Sequence, residues 1–101
     1  SYWRSALKIE PQNLEVLSTM VNYLTEKQRR VDAVLLVEKC VERTQGTEPQ
    51  LLVGLADLYL LVGREDRAVE TLREAKIATS QDNPQLLQTI HQMLQRLGEA
   101  P

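Results

Sequence analysis

A period of 35 residues constrains this chain more than any other feature. Leu17, Leu52 and Leu87 fall in step, followed by Met20, Leu55 and Ile90 and then by Leu24, Tyr59 and Leu94. Gln28, Gly63 and Gly98 close the same register, and the second halves agree through Ala33 with Ala68, Val37 with Leu72 and Cys40 with Ala75. The entry phrase also recurs, as Pro49-Gln50-Leu51-Leu52 and Pro84-Gln85-Leu86-Leu87. Self-similarity at this period means stacked supersecondary units, each too small to bury its apolar face alone. The 101 residues suit one elongated core rather than two independent ones.

Each unit reads as two amphipathic helices. Leu52, Leu55, Ala56, Tyr59 and Val62 follow the i, i+3, i+4, i+7 spacing of one helical stripe, and Ala68, Leu72 and Ala75 form a second. Gly63 stands between the stripes, where a left-handed residue ends a helix. Asn83-Pro84 is a helix start: Asn accepts a bond from an orphan amide, and Pro in the first turn loses no needed donor. Asn13 is expected to cap the helix after Pro11 in the same way. The pattern predicts helices near 2–9, 14–27, 30–44, 49–62, 66–79 and 84–97. The fold class is all-α, in tandem antiparallel helix-turn-helix repeats within a single domain over 1–101. Its parts are the second helix of an incomplete repeat at 1–12, repeats at 13–47 and 48–82, and a terminal helix at 83–101.

Composition narrows the function classes. A chain 43% hydrophobic and 26% charged is not a disordered or collagen-like one, and its longest apolar run, Leu58 to Val62, is far short of a membrane span. A soluble domain without membrane insertion is expected. The net charge of −2 shows none of the basic field with which nucleic-acid binders release phosphate counterions. Cys40 is the only cysteine and His91 the only histidine, so no internal disulfide or zinc site can form; Cys40 reads as a core residue and His91 as a partly exposed helical residue. No phosphate loop, paired metal-ligand motif or nucleophile elbow occurs, so the expectation is a non-enzyme without cofactors. The opening Ser1-Tyr2-Trp3 reads as the interior of a longer protein, and the lone cysteine is compatible with a cytoplasmic location.

The pattern resembles the tetratricopeptide repeat, whose first helix carries a large residue, Leu, a small residue and Tyr, and whose second carries Ala, an aromatic, Ala and then Pro. Leu52, Leu55, Ala56 and Tyr59 match the first set. Ala68, Leu72 and Ala75 match most of the second, with Ser80 where Pro is usual. The preceding unit supplies Leu17, Met20, Val21, Leu24, Ala33, Val37 and Cys40, and Trp3, Ala6 and Pro11 match the close of a repeat. Val21 and His91 depart from the pattern, standing where the family prefers a small residue. His91 is tolerable if no second helix follows, which makes the last helix a cap on the array. The resemblance implies a short right-handed superhelical solenoid. The 35-residue spacing is also similar to that of pentatricopeptide repeats, which read RNA bases. The acidic balance, and Ala75 where that family places a bulkier Met, oppose such a reading.

The resemblance further implies a concave face lined by first helices at Glu15, Ser18, Asn22 and Thr25, then Gln50, Val53, Asp57 and Leu60, then Gln85, Gln88, Gln92 and Gln95. This grid is rich in amides and holds no Lys or Arg, so it lacks the cations with which some members of the family grip a C-terminal carboxylate; Asn22 alone survives of such a set. Amides both donate and accept, which suits the backbone of an extended peptide or the polar positions of a partner helix. The candidate partner-binding residues are Ser18, Asn22, Val53, Asp57, Leu60, Gln85, Gln88 and Gln92, with Val53, Leu60 and Leu61 as the apolar anchor. Within the hairpins, Lys27-Gln28-Arg29-Arg30 and Arg64-Glu65-Asp66-Arg67 read as solvated turns. An alternative reading is self-association or array stacking without a peptide ligand. It would run through Tyr2, Trp3 and Ile9, whose helix lacks the first half of its hairpin, and would give a weak homodimer.

Overall fold

A computed structural model describes the backbone of residues 14–98 and the side chains of residues 18–98. The architecture is all-α. Among the described residues five helices follow one another: α1 (Leu14–Glu26), α2 (Arg30–Arg43), α3 (Pro49–Leu61), α4 (Glu65–Ala78) and α5 (Pro84–Arg96). Every bound lies within one residue of that read from the pattern. The helix expected over 2–9 and the cap expected at Asn13 fall outside the described residues. Each helix packs chiefly on its neighbours in sequence, most extensively α3 on α4. No helix among the described residues is long and apolar enough to cross a membrane.

The internal symmetry has a backbone counterpart at the helix ends. Gln28, Gly63 and Gly98 all adopt left-handed conformations, with φ of 58°, 79° and 82°. After α1 and α3 the next amide reaches back five residues, from Arg29 N to Leu24 O at 2.7 Å and from Arg64 N to Tyr59 O at 2.8 Å. This 6→1 bond satisfies a carbonyl the helix would otherwise orphan, and it turns the chain into the second helix of the hairpin. α2 ends on the same motif, with Gln45 left-handed and Gly46 N donating to Val41 O at 3.0 Å, and here Gly46 is left-handed as well. α4 ends differently: Thr79 is extended, its hydroxyl donates to Ala75 O at 2.6 Å, and Asn83 Oδ1 then accepts from Leu86 N at 3.3 Å to open α5.

Small residues set how closely the helices approach. Ala33, Ala56, Ala68 and Ala75 are wholly buried, and Leu52, Leu72, Ile90 and Leu94 fill the space they leave. Leu51 and Leu58 are buried as well, so α3 is apolar nearly all round, as befits a helix packed on both α2 and α4. Buried Thr71 and Thr79 turn their hydroxyls onto carbonyls one turn back, which satisfies both donors within their own helix. Buried Cys40 is a small core residue; burial pushes its thiol pKa up, with Arg43 acting weakly in the other direction.

One polar knot ties three helices. Tyr59 of α3 donates its hydroxyl to Glu38 of α2, while Arg67 of α4 approaches the same oxygen at 3.4 Å with its guanidinium 5.5 Å from the ring centroid. Desolvation, then the bond to Glu38, raises the Tyr59 pKa, so the phenol stays protonated and keeps donating.

Candidate protein-interaction site

The faces of α1 and α3 that the core leaves uncovered meet in a crevice of about 240 Å3. Ser18 and Asn22 form its lip on α1 and Gln50 its lip on α3, while Val21, Val37, Leu51 and Leu58 supply an apolar floor. Among the described residues no charged side chain lines it. Hydroxyl and amides therefore surround an apolar centre, an arrangement that fixes a ligand's orientation by hydrogen bonds and its affinity by burial.

Gly54 sits in the middle of this crevice. A glycine inside a helix costs about 1 kcal/mol relative to alanine. Among the described residues nothing requires it here, because a Cβ at position 54 would meet none of their atoms within 4 Å. Its equivalents in the neighbouring units, Thr19 and Thr89, carry side chains. The missing side chain opens the crevice down to the helix backbone, the kind of place where another chain can approach closely.

The expected grid is distributed unevenly. Ser18 and Asn22 are exposed and line the crevice; Asp57, Gln85, Gln88 and Gln92 are exposed but lie outside its lining. Val53 and Leu60, expected as the apolar anchor, are half-buried and pack against the core, and Leu61 is exposed at the end of α3. Thr25 is half-buried, and its hydroxyl donates to Val21 O at 2.8 Å. The side chain of Glu15 and the residues Tyr2, Trp3 and Ile9 fall outside those described. The sequence pattern places Val37 among the packing residues and gives Leu51 and Leu58 no binding role. The visible signal was Gly54, a helix breaker where both repeats beside it place Thr.

Two further groups bear on this surface. Desolvation holds the Asp57 carboxyl above the ordinary carboxylate range, although the residue as a whole is exposed on α3. On α5, His91 is half-buried and its Nε2 is enclosed without a protein hydrogen-bond partner. The turn charges are locally paired, Arg29 with Asp32 at 2.7 Å and Arg67 with Glu70 at 3.4 Å; all four side chains are exposed enough that these pairs contribute little to stability. Among the described residues no group of His, Cys, Asp and Glu side chains could hold a metal ion. No family model and no curated protein matches this sequence.

Proposed function

We propose that this chain is a protein-interaction scaffold of tetratricopeptide-like hairpins, wound as a right-handed superhelix, that takes an extended peptide or a helix of a partner in the crevice between α1 and α3. The observation that carries the reading is the crevice itself: a lip of Ser18, Asn22 and Gln50 over an apolar floor, kept open by a glycine that the fold does not need. An apolar side chain of the partner fills the centre, and Asn22 and Gln50 hold the backbone beside it. Because the lining is uncharged, binding is expected to vary little between low and physiological salt.

Peptides selected from a displayed random library against the 101-residue chain test this directly. Affinities on the order of micromolar are expected for single short peptides. Gly54→Leu fills the crevice without disturbing the helix and should weaken binding at least about tenfold, or 1.4 kcal/mol. Asn22→Ala should weaken it less, and Gln95→Ala on α5 not at all. Selected peptides that bind Gly54→Leu as well as the parent chain, or that lose binding steeply with salt, would sink the assignment.

A second reading, stacking against further helices, is favoured by a separate observation. Val31 and Leu35, one turn apart on α2, are 64% and 56% exposed, at positions where α4 carries Asp66 and Glu70.

A further inference from the structure

The size of the crevice between α1 and α3 restricts what can fill it. A closed cavity of about 150 Å3 lined by aliphatic side chains takes up benzene, roughly 25 Å3 for each ring atom. On that scale a crevice of about 240 Å3 has room for about nine or ten non-hydrogen atoms. A leucine or valine side chain would leave more than half of that space empty, and a phenyl ring about a third. Unfilled space forfeits contacts on the floor, so the best occupant is the one that fills it.

The lining narrows the choice further. With no charged side chain there among the described residues, a buried lysine or glutamate head would lose its hydration and gain no partner. The floor of Val21, Val37, Leu51 and Leu58 is apolar, while Ser18, Asn22 and Gln50 bring side-chain oxygens to the mouth. A side chain that suits both must be apolar over nearly all of its body and carry a donor at its edge. The indole of tryptophan has this form: nine ring atoms, and one N–H that needs an acceptor once it is buried. We propose that the crevice is a pocket for a tryptophan side chain of the partner, with Gly54 as the residue that sets its size. This rests on the peptide-binding reading above and names the anchor which that reading leaves open. Leu51 and Leu58 are held in the core at 2% and 5% exposure and cannot move aside for a ligand. Position 54 is different. A Cβ there would touch no described atom within 4 Å, so it would stand in the space the indole takes.

Peptides selected from a displayed random library against the 101-residue chain are expected to share one tryptophan. Replacing it by phenylalanine should weaken binding about tenfold, and replacing it by alanine about a hundredfold. In the complex its ring current should move the methyl resonances of Val37, Leu51 and Leu58 upfield. The decisive variant is Gly54→Ala, which narrows the crevice by one carbon. It should weaken the tryptophan peptide about tenfold and the phenylalanine analogue no more than about threefold, so that the two bind nearly alike. Alanine is the better helix former, so the variant should melt no lower than the parent chain, and lost folding cannot account for the lost affinity. Peptides anchored by leucine, valine or phenylalanine that still lose affinity to Gly54→Leu overturn the tryptophan assignment and leave the peptide crevice standing. A Gly54→Ala chain that keeps the full preference for tryptophan does the same. Peptides indifferent to Gly54→Leu overturn both.

Discussion

Gln28 and Gly63 occupy equivalent left-handed positions, at φ of 58° and 79°, and this permits one prediction to be run in both directions. A side chain in this conformation costs roughly 1–2 kcal/mol, because Cβ crowds the following carbonyl. Replacing glycine by alanine recovers about 0.4–1 kcal/mol by restricting the unfolded chain. Gly63→Ala should therefore destabilise by about 1 kcal/mol. No steric clash adds to this, since a Cβ at 63 would meet nothing within 4 Å. Gln28→Gly should stabilise by slightly less than that. In a domain of this size each change moves Tm by roughly 4–8 °C per kcal/mol, in opposite directions. Thermal and urea denaturation followed by circular dichroism measure both. A neutral or stabilising Gly63→Ala would mean that the 6→1 bond from Arg64 to Tyr59 O does not depend on the left-handed turn, and the account of the hairpin geometry would fail.

Ala68 is fully buried between helices, so Ala68→Leu should cost roughly 1–3 kcal/mol by overpacking, while Gln95→Leu on exposed α5 surface should change Tm by little. Equal effects in denaturation would mean that the helix faces are misassigned. The raised pKa of buried Cys40 predicts slow alkylation by iodoacetamide in the native chain and fast alkylation in urea. For the same group the folded state holds its proton longer than the unfolded one. The resulting stability is complete below the ordinary thiol value of about 8.5 and is lost as pH rises through the folded pKa, and Tyr59 acts in the same sense at higher pH. For Asp57 the raised pKa means that the ionised form opposes folding: the stabilising effect of its protonation is present at acid pH and lost as pH rises through the folded pKa. Asp57→Asn should therefore raise Tm at pH 7 and leave it unchanged near pH 3; a variant that lowers Tm at pH 7 would show the carboxylate to be favourably held.

The helices were legible because repetition multiplies weak local signals. A Gly at 63 alone is an ordinary turn residue; with Gly98 and Gln28 in step it marks a hairpin, and the structure places all three in one conformation. The crevice was less legible, for a physical reason. Stripe analysis assigns a residue to one face of a helix, whereas Leu51 and Leu58 serve two: they are buried in the core and also floor the groove beside α1. The polar lip at Ser18 and Asn22 was implied by the repeat resemblance, but which apolar residues lie beneath it depends on how far apart α1 and α3 stand. The Tyr59 knot is of the same kind, since its partners Glu38 and Arg67 lie on different helices and share no spacing rule.

In a chain built of copies, the positions that keep their character and those that lose it answer different questions. Ala33 and Ala68, or Met20, Leu55 and Ile90, are buried wherever they occur, because each hairpin must solve the same packing problem. A position that changes character from one unit to the next is released from that problem and reports its own surroundings. Gly54 against Thr19 and Thr89 reports an opening that packing does not demand. Leu35 against Glu70 reports an apolar side chain left 56% exposed where its counterpart is charged. The two departures lie on different helices, Gly54 on α3 and Leu35 on α2. Leu35→Glu should therefore leave capture of the selected peptides unchanged while Gly54→Leu weakens it; a comparable loss of affinity in Leu35→Glu would mean that the two surfaces are one.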